Sequence, residues 1–130
     1  MATSKYESSF TVSVTGDESG EKWNGVFKVK TRLSHRDALV RDQLLRDFIG
    51  KQPGEPSQLA RDLATIFSEL GARVLDAPSW WTSAGNGLDL EDTNVILEVY
   101  SKAIEAEKAA KEELKGKAEE SKASLKKSKE

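Results

Sequence analysis

Polar and apolar residues alternate from Ser9 to Thr15, with Phe10, Val12 and Val14 on one side and Thr11 and Ser13 on the other. Period two is the signature of a half-buried strand. A second run places Trp23, Phe27, Val29 and Leu33 on one face, with Gly25 between them. Asn24, Lys28, Lys30 and Arg32 lie on the other face, interrupted by Val26. Gly16-Asp17-Glu18-Ser19-Gly20 supplies the turn between the runs, so the pattern predicts an antiparallel β-hairpin over 9–33. A lone hairpin is marginal in water. It is expected to pack on the helices that follow, or to pair with another chain.

From Ser34 the period lengthens. Ser34 reads as an N-cap with Asp37 three residues on, and Val40, Leu44, Leu45, Phe48 and Ile49 form an apolar stripe up to Gly50. This predicts a helix over about 35–49. After Pro53-Gly54, Pro56 suits the first turn of a second helix over about 56–75. Leu59, Leu63, Ile66, Phe67, Leu70 and Val74 recur there at spacings of three and four. Gly71 interrupts the stripe at a cost of about 1 kcal/mol relative to alanine, which close approach of another backbone would explain. Residues 76–92 read as a loop. A third helix over about 92–110 buries Val95, Ile96, Val99, Tyr100, Ala103, Ala106 and Ala110. Residues 111–130 are dominated by Lys, Glu, Ala and Ser, with Leu114 and Leu125 the only large apolar residues. That stretch is expected to be a solvated helix fraying into disorder. The fold class that follows is α+β: one domain over 1–110 and a charged tail.

Charge narrows the function. The 130 residues carry a formal net charge of -2, with 20 basic against 22 acidic side chains. Such balance disfavours a nucleic-acid grip and attraction to anionic lipid. No apolar run approaches the roughly 20 residues that cross a bilayer, and residues 1–10 lack an apolar signal core, so a cytosolic chain is expected. There is no cysteine, which excludes disulfides and thiolate chemistry. His35 is the single histidine and has no acidic or cysteine cluster around it in sequence. Gly85-x-Gly87 lacks the rest of a phosphate loop. Asp89, Glu91 and Asp92 stand ahead of a helix, where capping is the ordinary use of a carboxylate. Four Arg-Asp dipeptides place Asp37 with Arg41 and Asp42 with Arg46 at i,i+4, the spacing of surface ion pairs. Lys28, Lys30 and Arg32 form a basic strand face, but Trp23 and Phe27 fall on its opposite side, which leaves no stacking platform for single strands. No catalytic residue, cofactor or metal is expected.

Trp80-Trp81 is the most informative local feature. Two large rings in a loop need apolar cover, from the protein's own core or from a partner. Adjacent residues of an extended loop point apart, so one ring can serve each purpose.

The stretch Asp76-Ala77-Pro78-Ser79-Trp80-Trp81 is followed by Gly87-Leu88-Asp89-Leu90, by Asp92-Thr93-Asn94-Val95-Ile96 and by Glu98-Val99-Tyr100. This block resembles the small tail assembly chaperones of long-tailed bacteriophages. The upstream order of a strand pair, an Arg-Asp-rich helix and a Leu-rich helix is similar as well. The resemblance spans roughly the first 110 residues. It implies a non-enzymatic protein of the infected bacterial cytoplasm that binds the tape-measure protein and keeps it soluble before the tail tube assembles. The family has no catalytic residues to carry over. Client contact is expected at Trp80, Trp81, Leu88 and Leu90, on their apolar character in a loop. A structural component of the phage tail or head–tail connection is the alternative reading, and a homo-oligomer is compatible with both.

Overall fold

The two alternating runs form a regular hairpin. In a computed structural model, which describes residues 6–50, 54 and 57–128, with side chains up to Gly116, β1 (Glu7–Thr15) pairs antiparallel with β2 (Lys22–Lys30). The register sets Phe10 opposite Phe27 and Val12 opposite Gly25. Helix α1 (His35–Gly50) follows. Its entry is fixed by a reciprocal cap: Ser34 Oγ accepts from the Asp37 N–H, and Asp37 accepts from the Ser34 N–H.

Helix α2 (Gln58–Arg73) begins after the Ser57 cap, whose side chain accepts from the Ala60 N–H. Pro56, assigned to the first helical turn from sequence, lies outside the described residues. The helix also stops earlier than expected. Val74–Asp76 leaves it as a short strand, β3, which pairs antiparallel with β2 through a bulge and gives a three-stranded sheet of order β1-β2-β3. Helical spacing carried the sequence reading past this point because Val74 continues the stripe. The edge of β2 competes for the same backbone groups and wins.

A one-turn helix, α3 (Ser79–Thr82), lies inside the expected loop. Helix α4 (Thr93–Ser128) then continues into the charged segment, where a solvated helix is expected. Its 36 residues span about 54 Å at 1.5 Å each.

The core sits between the sheet and α2, α3 and α4. Val12, Phe27 and Val29 from the sheet meet Phe67, Leu70, Trp81, Ile96, Val99 and Ala103. These elements give the α+β architecture that the periodicity predicts. Helix α1 stands apart. None of its residues is buried, and it packs against α2. The i,i+4 ion pairs expected along it do not form. Asp37 instead turns to Lys30, and Arg41 lies 3.6 Å from both Asp42 and Glu69 of α2. Gly71 has its use in this contact, though with a side chain rather than a backbone. A Cβ there would come within 2.7 Å of Leu44 Cδ1.

Candidate protein-binding groove

The segment between β3 and α4 is a clamp on the hairpin. Pro78 sits directly over Gly25 of β2, where an added Cβ would approach Pro78 Cγ to 2.1 Å. That contact sets down α3 and its two tryptophans. Trp81 is 1% exposed, and its ring meets Phe27 edge-on at 5.3 Å. Trp80 is half-buried. It packs on Trp23 at 5.1 Å and donates from Nε1 to the Asn24 carbonyl at 2.8 Å. Gly85, Asn86 and Gly87 all take left-handed backbone conformations, with φ of 62°, 58° and 91°. These let the chain wind back so that the Gly87 N–H reaches the Trp81 carbonyl. The glycines are punctuation for a tryptophan, with no phosphate loop built from them.

Asp92 closes the clamp. Its carboxylate, expected to cap its own helix, reaches instead to the β1–β2 turn, whose residues lie 73 and 74 positions earlier. It accepts from the N–H groups of Glu18 and Ser19 at 2.8 Å, from Ser19 Oγ at 2.6 Å and from Trp23 Nε1 at 2.8 Å. The Ser19 hydroxyl and N–H, then Trp23 and the Glu18 N–H, outweigh burial and hold this carboxyl down at about 2. Gly16 makes room for it, since a Cβ there would lie 2.1 Å from Asp92 Oδ2. Asn94 completes the attachment by donating to the Thr15 carbonyl and accepting from the Asp17 N–H.

On the far side of Trp81 lies an apolar groove. Two adjoining hollows of about 310 and 240 Å³ share Phe48, Phe67 and Leu88. Leu44 and Phe48 of α1 form one wall, and Leu63, Phe67 and Leu70 of α2 form the other. Trp81 and Leu88 close one end. Leu88, which lines both hollows, is exposed by 51%. Isolated apolar residues on a surface need no explanation, but a continuous apolar cleft with an exposed rim has the character of a binding surface.

A wider hollow of about 510 Å³ under Tyr6 is lined by Glu7, Lys30, Arg32, Leu33, Ser34, His35 and Asp37. Its charges are already engaged. Lys30 holds Asp37 at 2.7 Å, Glu7 holds Lys28 at 3.0 Å, and Arg32 lies over the Tyr6 ring. The basic strand face is therefore tied up in local pairs. Lys30 foremost, with the Ser34 N–H, holds the Asp37 carboxyl at about 2.

The other charged cluster joins α2 to α4. Arg73, 6% exposed, donates from Nε to Glu107 at 2.8 Å and from its guanidinium to Glu69. Burial opposes the charge on Arg73, but the bonds to Glu107 and Glu69 prevail and raise its pKa. Burial likewise opposes charge on Glu107, and Arg73 and Lys111 prevail to lower it. Each buried charge is thus matched, as its desolvation requires.

The four residues expected to meet a client divide. Trp81 is core: its ring is packed against Phe27, Trp80 and the Gly87 backbone, and it reaches the groove only as part of its end wall. Trp80 is engaged with the hairpin, and Leu90 packs against the core. Leu88 alone stands out at the groove rim. The wall from α1 escaped the sequence reading because its stripe looked like ordinary core. The signal available was the double excess of apolar residues on two consecutive helices. Among the described residues there is no group of three or more metal-ligating side chains, and no helix is long and apolar enough to cross a membrane. No family model matches the chain, and no curated protein or solved structure matches it.

Proposed function

We propose that the protein is a phage tail assembly chaperone that binds an apolar helical segment of the tape-measure protein in the groove between α1, α2 and Leu88. The groove carries this reading. It is apolar along both walls and open at the rim. One of its walls, α1, packs on α2 and is tied to β2 by the Asp37–Lys30 ion pair. Helix-in-groove recognition needs such a cleft, with anchors from the client at i, i+3 and i+4. Further support comes from the resemblance of residues 76–106 to the family's block, which the clamp accounts for physically. Many of the quoted residues hold the hairpin, and the clamp in turn places Leu88 at the groove. The charged surface of α4 keeps a complex with an apolar client in solution.

Co-expression with the tape-measure protein of the same phage, followed by size-exclusion chromatography, tests the reading. The wild type is expected to keep the client soluble and to co-elute with it. Leu88→Asp should remain folded and lose the client. A client that stays insoluble, together with recovery of this chain in purified virions by mass spectrometry, would replace the chaperone with a structural tail component.

A further inference from the structure

The outer edge of β1 is the longest unpaired backbone in the described fold, and we infer that it pairs with β1 of a second copy of this chain about a twofold axis through Thr11. The sheet order β1-β2-β3 leaves two edges. The β3 edge is blunted. It has three residues, a bulge, Asp76, and Pro78 close behind. The β1 edge is blunted only at its start, by the charge of Glu7. Its nine residues, Glu7 to Thr15, include no lysine, proline or glycine, and their register with β2 is unbroken.

The two flanking bonds fix which backbone groups point outward. Tyr6 accepts from the Thr31 N–H, and Gly16 donates to the Glu21 carbonyl, so even-numbered residues bond to β2. In an antiparallel ladder the direction alternates. Ser9, Thr11 and Ser13 therefore aim their N–H and C=O groups away from the sheet, and their side chains are exposed. Asn94 occupies the Thr15 carbonyl, which ends the open edge on that side.

Self-pairing is favoured by the sequence of this edge. Ser9-Phe10-Thr11-Val12-Ser13 has the same character read in either direction. A twofold through Thr11 sets Thr11 against its copy, Ser9 against Ser13, and Phe10 against Val12. Hydroxyl residues then meet on the outer face and apolar residues on the inner face, both favourable cross-strand pairs. Glu7, the only charge in β1, falls opposite Thr15, so no like charges oppose each other. Phe10 is only partly buried in one chain and meets Val12 of the second copy, while Val14 falls opposite Ser8. An isologous contact of this kind closes at two chains.

Light scattering coupled to size exclusion, on the full chain without client, is expected to give twice the 14.3 kDa of one chain. Thr11→Lys places two like charges on the axis. Thr11→Pro removes an outward N–H that the hairpin does not use. Both are expected to halve the mass. Thr11→Cys, in a chain without cysteine, should give a crosslinked dimer with a short bis-maleimide, and Leu75→Cys on the opposite edge should not. A wild type that stays monomeric through the dilution series overturns the inference. So does a full dimer in both Thr11 variants, or crosslinking at Leu75 in preference to Thr11. The client takes no part in any arm, so this inference and the proposed function fail separately.

Discussion

The clamp and the helical pair are built on opposite terms. In the clamp, residues 76–96 bind the hairpin through Pro78 on Gly25, Trp81 on Phe27 and Asp92 on the turn, with the polar groups of Asp92 and Asn94 matched. Helix α1 buries no residue, leaves Leu39 and Val40 exposed by 67% and 46%, and meets α2 across a partly empty groove. Local stability follows buried apolar contact and protected hydrogen bonds. The difference teaches that the tightly packed part and the part with open apolar surface are different parts of one small chain. The Trp pair belongs to the first part, and the α1 stripe to the second.

The largest effect should come from Trp81→Ala, which empties the centre of the clamp. It is expected to cost about 3–5 kcal/mol, read as a shift of the denaturant midpoint. An unchanged midpoint would mean that the clamp is not the stable half. Gly25→Ala is expected to cost about 1–3 kcal/mol by overpacking against Pro78, measured in the same way.

Asp92→Asn should weaken the turn attachment and also alter the response to acid. Asp92 and Asp37 both have folded values of about 2, below the ordinary 3.8. The stability they lend is complete above the unfolded value and is lost as pH falls through the window toward 2. Unfolding free energy measured from pH 7 downward should therefore drop below about pH 4, less steeply in Asp92→Asn than in wild type. Equal slopes would sink the assignment for Asp92.

The smallest effect on stability belongs to the groove. Leu88→Asp is expected to stay within about 0.5 kcal/mol of wild type while client binding is lost. A large loss of stability would place Leu88 in the core with Leu90.

Much of this architecture is legible in the residues themselves. Alternation locates both strands of the hairpin, and the three- and four-residue spacings locate α1, α2 and the start of α4. Local pattern fails where a distant partner decides. Val74 belongs to a helix by spacing and to β3 by the edge that β2 offers. Asp92 looks like a cap because its partners lie more than seventy positions away. Trp80 and Trp81 announce a need for cover, but only the packing tells that the hairpin supplies it. Groove walls are hidden for a further reason. An apolar stripe has the same spacing whether its cover is the chain's own core or another protein.

Native-state hydrogen exchange, with and without the tape-measure client, tests this division most directly. In the free chain, amides of α1 should exchange through openings of much lower free energy than those of β2 and of α4 from Val95 to Ala103. Client binding should then protect α1, α2 and the turn at 85–88, and leave the hairpin as it was. Exchange that is uniform across the two parts, or protection gained only in the hairpin, would contradict the account.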